Sequence, residues 1–412
     1  MASNDIPDVA VVGAGIGGSA LAAALSIQGL RVALLERDLS YVDRVRGEYM
    51  APWGVAELRR LGLLDTLTAA GGIFSARNIP YDENTPGDAA LARQLDLSKV
   101  LPDVPGALCM GHPDMCAALS HTAALRGAEV WRGVNDVRIE AGEPPRIAFQ
   151  CDGRRTEWRP RLIVGADGRA STIRRQLGFE FHHDPPHNLL GGMLVEGVPD
   201  WPQDAQVIGT EGQVHFLVFP QGGTKVRLYL CYGFEDRAPY AGPDRQGNLL
   251  AAFRSLQCLP YHYAIGAATP IGPFNSFPNE DHWTDDPTAP GIVLIGAAAG
   301  HNDPIIGHGL SIALRDARIV SDIIRPVAFT RDAFRPYIEE RAERMRRLRI
   351  TARLAATLRA EFGKAARERR ARAVRRATIE KHLTPGPAAL VGPEKLPSEA
   401  FDSRTIESLL AP

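Results

Sequence analysis

The residues near the start of the chain that could do chemistry are three glycines and one carboxylate. Val9-Ala-Val-Val-Gly13-Ala-Gly15-Ile-Gly-Gly18 opens a small-residue segment, and Glu36 closes the apolar run that follows. Gly13 permits a sharp strand-to-helix turn, Gly15 lets backbone approach a pyrophosphate, and Gly18 allows close helix–strand packing. A helix beginning there offers free N–H groups and a positive dipole to phosphate oxygens. Glu36 can accept hydrogen bonds from an adenosine ribose, which disfavours a 2′-phosphate in this slot. Strand, turn, helix and acid together point to a dinucleotide, without separating FAD from NAD.

Two later segments separate them. Arg161-Leu-Ile-Val-Gly-Ala-Asp167-Gly168-Arg-Ala-Ser171-Thr-Ile-Arg174 is followed by Gly291-Ile-Val-Leu-Ile-Gly296-Ala297-Ala298-Ala299-Gly300 and Pro304-Ile-Ile-Gly307-His308-Gly309-Leu310. In order and spacing these resemble the signatures of the group A flavoprotein monooxygenases, typified by para-hydroxybenzoate hydroxylase, over residues 8 to 330. The resemblance implies that Gly13, Gly15, Gly18, Glu36 and Arg37 hold the ADP half of FAD. Arg46 would meet its phosphates, since a planar guanidinium suits phosphate oxygens. Asp167 would serve both FAD and a transient NADH or NADPH. Gly296, Ala297, Pro304 and the Gly307-His308-Gly309-Leu310 loop would face the ribityl chain and ring, at a helix N-terminus that stabilises negative charge on reduced flavin.

Two positions depart from that pattern. Ala297 stands where the family carries an aspartate that binds the ribityl chain. Losing one charge-assisted hydrogen bond costs about 1.5–3 kcal/mol, roughly a 10- to 150-fold weakening. His112 stands where an arginine commonly opens the helix. The implied chemistry asks little of side chains: a flavin C4a-hydroperoxide delivers oxygen, while the protein positions substrate and excludes water. Candidate acid/base groups are His215, Tyr229, His301 and His308, the histidines because their ordinary pKa lies near working pH. No Trp-x-Trp-x-Ile-Pro segment is present, which speaks against flavin-halogenase chemistry.

The elements that must carry these residues alternate. Asp8 to Val12 and Arg31 to Leu35 are apolar runs of the buried parallel-strand kind, flanking a helix from Ser19 to Gln28 that Gly29 stops. Residues 55 to 70 and 113 to 126 read as helices, 71 to 105 as loops and short strands, and 129–131 and 137–139 as strand pieces. Two strands are expected within 145 to 180, the second at Arg161 to Val164. From 186 to 275 apolar and polar residues alternate between Gly and Pro, as in antiparallel sheet. Ile292 to Ile295 returns as a buried strand before a helix over 309–324. An arginine-dense helical stretch, 333 to 381, precedes a Pro-rich irregular tail. The fold expected is α/β: a Rossmann-like FAD-binding domain (1–180 and 279–330) with a parallel sheet. An antiparallel-sheet substrate domain is inserted at 181–278, with loops 71–105 contributing to its substrate side. A helical C-terminal segment (331–412) completes it.

Composition bounds the rest. At 412 residues the chain supports a large core and two or three domains. A net charge of −1 gives no global field toward nucleic acid or anionic lipid. The five cysteines are scattered without CxxC spacing, so neither disulfide framework nor metal site is expected, and a cytoplasmic setting fits. No run approaches the roughly 18–20 apolar residues that span a bilayer. The Glu339-Glu-Arg341-Ala-Glu-Arg344 stretch interleaves its charges at helical spacing, which reads as a solvated or interface helix rather than a nucleic-acid site. The function expected is NAD(P)H- and O2-dependent hydroxylation or epoxidation of a small hydrophobic molecule of aromatic character. Ala297 and His112 motivate the alternatives: an FAD-containing non-oxidising enzyme such as a cyclase, or a flavin-free remnant with an interaction role.

Overall fold

The computed structural model describes residues 6–324, 330–379 and 384–411. The first half contributes β1 (Val9–Val12), α1 (Ile16–Ile27), β2 (Val32–Glu36), α2 (Pro52–Arg60), β3 (Arg77–Asp82), α3 (His112–Leu125), β4 (Glu129–Arg132) and β5 (Leu162–Gly165). The second contributes β6 (Asn188–Glu196), β7 (Ala205–Glu211), β8 (Val214–Pro220), β9 (Val226–Tyr232), α4 (Arg245–Ser255), β10 (Ile292–Leu294), α5 (Gly309–Ile323), α6 (Arg335–Arg359) and α7 (Lys364–Ile379).

β10, β5, β1, β2 and β4 form a parallel sheet in that order, with Thr288–Ala289 as an antiparallel edge. β1 and β5 are buried at every residue, as strands covered on both faces must be. α1 packs on this sheet through Gly18 and a run of alanines, while Gly17 abuts Ala313 of α5. A Cβ at Gly18 would lie 1.9 Å from the Gly13 carbonyl oxygen, so only glycine permits the approach. The helix starts at Ile16, three residues before the expected Ser19, because the fingerprint turn itself supplies its first turn.

The second sheet runs β6, β9, β8, β7, β3, antiparallel except that β7 and β3 are parallel. Its faces bury different residues. Phe216, Val218, Leu228 and Leu230 pack outward under Leu249 and Phe253 of α4, whereas Leu217, Phe219 and Tyr229 face the first domain. Residues 238–266, expected as sheet, instead fold into three helices that cover the outer face. The helix expected over 55–70 breaks at Gly62, whose φ of 65° is left-handed. Residues 145–180 hold three strands rather than two, and the tail contains helices Ala388–Val391 and Ser403–Leu410.

The arginine-rich helices are interface helices. Arg341 and Arg344 of α6 are 2% and 3% exposed, and both reach Asp316 of α5, at 3.1 and 2.5 Å. Arg341 also donates to the carbonyls of Gly296 and Gly300. On α7, Arg367 and Arg370 pair with Glu83 and Asp82 at the end of β3. These guanidiniums hold the fold together through carboxylates on other elements. The end of the expected helix at 380–381 lies outside the described residues. Among the described residues, no helix is long and apolar enough to cross a membrane.

Candidate functional site

One continuous cavity of about 1090 Å3 runs from the Gly13–Gly18 turn to the inner face of the second sheet. Every residue expected to contact the cofactor lines it, from Gly13, Gly15, Gly18, Glu36, Arg37, Arg46, His112 and Asp167 to Gly296, Ala297, Pro304, Gly307, Gly309 and Leu310. Of the four acid/base candidates, Tyr229, His301 and His308 also line it, and His215 does not.

At the dinucleotide end, Gly13 has φ 104° and a Cβ there would sit 2.4 Å from the Ala166 carbonyl oxygen. Gly15 is different: a Cβ would meet nothing within 4 Å and would project into the cavity. Glu36 is fixed by backbone, accepting from the N–H of Ala14 at 2.7 Å and of Asp38 at 2.9 Å, which leaves lone pairs on both oxygens for ribose hydroxyls. Asp167 caps a short helix, Oδ2 accepting from Thr172 N–H at 2.6 Å, while its buried Oδ1 has no protein partner among the described residues.

Arg46 lies largely buried, and burial followed by repulsion from Arg44 pulls its pKa down. Arg169, which sequence reading missed, is pulled to about 10 by burial and then by Arg46. Arg44, Arg46 and Arg169 all line the cavity, and guanidiniums suit phosphate oxygens. They also account for His112: burial first, then Arg46 and Arg44, push its pKa down to about 4. A neutral ring is tolerated there, where a further cation would be repelled.

At the far end of the dinucleotide slot, Pro304–Ile306 leads to Gly307 with φ 68°, then to His308 at the N-cap of α5. Gly307 must be glycine, since its Cβ would also stand 2.9 Å from the Tyr49 ring. No side chain caps α5, so its first N–H groups face the cavity as an anion-stabilising terminus. Ala297 lines the cavity beside buried Ala298 and Ala299, and nothing in the structure explains its replacement of an acid. Ala297→Asp is therefore expected to slow FAD dissociation about tenfold or more with an unchanged or higher melting temperature, by supplying a charge-assisted acceptor. Unchanged flavin retention with a lower melting temperature would place the ribityl chain elsewhere.

The histidines lose the property that made them attractive. Burial holds His308 at about 3, and its Nδ1 accepts from the Trp53 indole N–H at 2.8 Å, which requires the neutral ring. Burial and Arg169 take His301 down to about 2, and burial takes His215 to about 3. At neutral pH all three rings are neutral, and none is held near a pKa suited to general acid–base exchange. For His308 the sign follows from linkage: the unfolded chain takes up a proton near 6.5 and the folded chain only near 3. Its contribution to stability is complete above 6.5 and is lost as pH falls through that window, by about 1.4 kcal/mol per unit. Between pH 7 and 5 the native protein should lose roughly 2 kcal/mol more than His308→Asn, whose Oδ1 can still accept from Trp53. Parallel urea-derived stability curves for the two proteins would rule this out.

Glu280, His282 and His301 bring potential metal-ligand atoms within 4.8 Å of one another. The two imidazoles stack at 4.6 Å with 24° between their planes, and Glu280 pairs with His282 at 3.0 Å.

Beneath the second sheet the cavity becomes apolar, walled by Leu190, Ile208, Leu217, Phe219 and Phe277, with Tyr49 stacked on Phe219 at 4.9 Å. One polar device enters it. The Tyr229 hydroxyl donates to Glu48 Oε2 at 2.5 Å, and Glu48 lies 3.3 Å from Arg227, itself 2.6 Å from Asp43. Burial pushes the pKa of both Tyr229 and Glu48 up.

A turn of glycines at a helix N-terminus, a backbone-held carboxylate, several guanidiniums and a second uncapped helix end, all along one cavity, are the features of a dinucleotide-binding flavoprotein. The chain matches the family described as FAD binding domain over residues 7–381 and belongs to it. Among curated relatives, squalene epoxidase 2, mitochondrial, of Arabidopsis thaliana is 27% identical over 338 residues, covering 81% of this chain and 56% of the relative. The squalene epoxidase of Aspergillus fumigatus is 28% identical, covering 77% and 66%. The chain thus spans roughly three-fifths of the length of such relatives. Among solved structures, p-nitrophenol 4-monooxygenase from Pseudomonas putida superposes with TM-score 0.77 at 18% identity, covering 97% of this chain and 98% of that one. The probable FAD-dependent monooxygenase PqsL from Pseudomonas aeruginosa gives 0.71 at 24%, covering 87% and 97%. At these identities the structural likeness establishes the fold.

Proposed function

We propose that this chain is an FAD-dependent monooxygenase that uses NADH or NADPH and O2 to hydroxylate or epoxidise a small hydrophobic molecule. The observation that carries the reading is the single cavity: the flavin slot, ending at the Gly307–Gly309 loop, opens directly into an apolar chamber under the second sheet. A substrate lying there is held against the ring end and shielded from water. Bound FAD, once reduced, supplies oxygen activation and transfer; the protein's part is positioning. Gly13, Gly15, Gly18 and the N-terminus of α1 would hold the pyrophosphate, Glu36 the ribose, and Arg46 with Arg169 the phosphate charge. The first turn of α5 would stabilise negative charge at the ring. Tyr229, its proton directed onto Glu48, would orient a substrate hydroxyl as acceptor without giving up its own proton. On this reading residues 1–180 and 279–330 carry the cofactor, and 181–278 with β3 roof the substrate. The C-terminal helices close the chamber. The names of the curated relatives support epoxidation as one outcome, and the aromatic walls support hydroxylation equally.

The test is isotopic. The flavin-loaded protein is turned over with NADH or NADPH under 18O2 against a panel of alkenes and phenols. Incorporation of one labelled oxygen into a product supports the reading. NAD(P)H oxidation that yields only hydrogen peroxide across the panel, or no oxidation, would count against it. The second outcome favours the non-oxidising alternative that Ala297 motivates.

A further inference from the structure

Arg359 is the last residue of α6, and it lines the chamber under the second sheet. Its guanidinium has no hydrogen bond or ion pair among the described residues, and no charged group offsets the desolvation that lowers its pKa. The other arginines of α6 and α7 that turn inward do have partners: Arg341 and Arg344 meet Asp316, and Arg370 meets Asp82 and Glu83. An arginine at a helix C-terminus interacts well with its own helix dipole. That interaction needs only an outward-facing position, and it does not call for a side chain lining an apolar chamber, where an unpaired charge lowers stability.

The helix end is also held in place. Thr210 Oγ1 donates to the Arg359 carbonyl at 3.0 Å and lies 3.0 Å from His215 Nδ1, so the ring N–H donates to Thr210 in turn. The buried His215 therefore acts as a positioning residue for the end of α6. The opposite end of the chamber adjoins the flavin loop. The Tyr49 ring abuts Gly307, and its hydroxyl lies 3.5 Å from Gln206 Nε2. Gln206 and Thr210 are on the same strand, four residues apart, which is about 13 Å of β-structure. Ile208 lines the chamber between them.

We propose that Arg359 is the anchor for a carboxylate, so that the compound oxidised is an amphiphilic acid with its anionic group at the Thr210 end and its apolar part directed toward the Gly307–Gly309 loop. This rests on reading the chamber as the substrate pocket. It names a substrate class that the apolar walls alone do not: an aromatic or long-chain acid rather than a neutral hydrocarbon.

The test uses the FAD-loaded protein, Arg359→Met, which keeps the length and apolar stem, and Arg359→Lys. Binding of two matched pairs, 2-naphthoate with 2-naphthamide and decanoate with decanamide, is followed by flavin absorbance shift and calorimetry. The native protein should bind at least one carboxylate about tenfold or more tightly than its amide, the magnitude of a hydrogen bond to a charged group. Arg359→Met should abolish that preference, leave amide binding unchanged, and keep or raise the melting temperature; Arg359→Lys should retain part of the preference. The proposal is overturned by the absence of carboxylate preference in both pairs or by its survival in Arg359→Met. A lower melting temperature with carboxylate and amide weakened alike would equally overturn it, as the mark of a structural role. Reduction of the flavin by NADH and NADPH is recorded on the same samples. A carboxylate preference without reduction would uphold the anchor and defeat only the monooxygenase reading, and reduction without the preference would do the reverse.

Discussion

Gly15→Val is expected to purify folded and colourless. Gly15 has φ −70° and ψ −170°, open to any residue, and its Cβ would meet no protein atom within 4 Å. The side chain would instead fill the space in front of the N-terminus of α1, where a pyrophosphate must approach the backbone. The apo-protein should keep its melting temperature, while added FAD should no longer raise it, because a ligand that does not bind contributes no linkage. Gly18→Ala provides the contrast. Its Cβ would fall 1.9 Å from the Gly13 carbonyl oxygen, so that variant should lose the fold along with the cofactor. A folded Gly15→Val protein carrying a full complement of FAD would show the cofactor to be misplaced.

Asp316→Ala carries the second large effect. Asp316 is fully buried and accepts from the Gly296 N–H at 2.8 Å, from Arg341 at 3.1 Å and from Arg344 at 2.5 Å. Burial alone would push its carboxyl up, but the two guanidiniums reverse that, and its pKa lies below the usual value. Removing the carboxylate leaves buried Arg341 without an anionic partner among the described residues and buried Arg344 with only Glu340, 3.1 Å away, so a loss of about 3–5 kcal/mol is expected by chemical denaturation. The Gly296 turn, which lines the cofactor cavity, loses its anchor at the same time, so FAD should also dissociate faster. Replacing Asp316 together with Arg341 and Arg344 by apolar residues should recover part of the stability, because no orphaned charge then remains. A loss below about 1 kcal/mol would mean that the ion pairs are not sharing the burial the structure gives them.

What could be read from sequence was local. The glycine fingerprint, Glu36, the Gly307–Gly309 loop and their strands are short-range patterns, each recognisable within a few residues. What could not be read depends on partners far along the chain. Tyr229 reaches Glu48 across 181 residues, and β3 finds its parallel neighbour β7 more than a hundred residues later. Arg341 and Arg344 look like solvated helix charges until Asp316 folds against them, since a charge pattern does not state which face is covered. Residues 238–266 read as sheet because Gly and Pro punctuate them densely. In the fold, Leu249 and Phe253 turn that stretch into the helical cover of the outer face. The histidines have an ordinary pKa near neutrality, and burial, a property of the folded chain alone, removes it. Arg359 had no local signal at all, only its membership of an arginine-rich run.

The central claim is most directly tested by the visible flavin band of the purified protein under anaerobic NADH and then NADPH, with and without an aromatic acid present. The account predicts that the protein retains FAD, that at least one nicotinamide bleaches the band, and that admitting oxygen restores it. A band that stays oxidised with both nicotinamides under all these conditions, or a protein that binds no FAD, would contradict it.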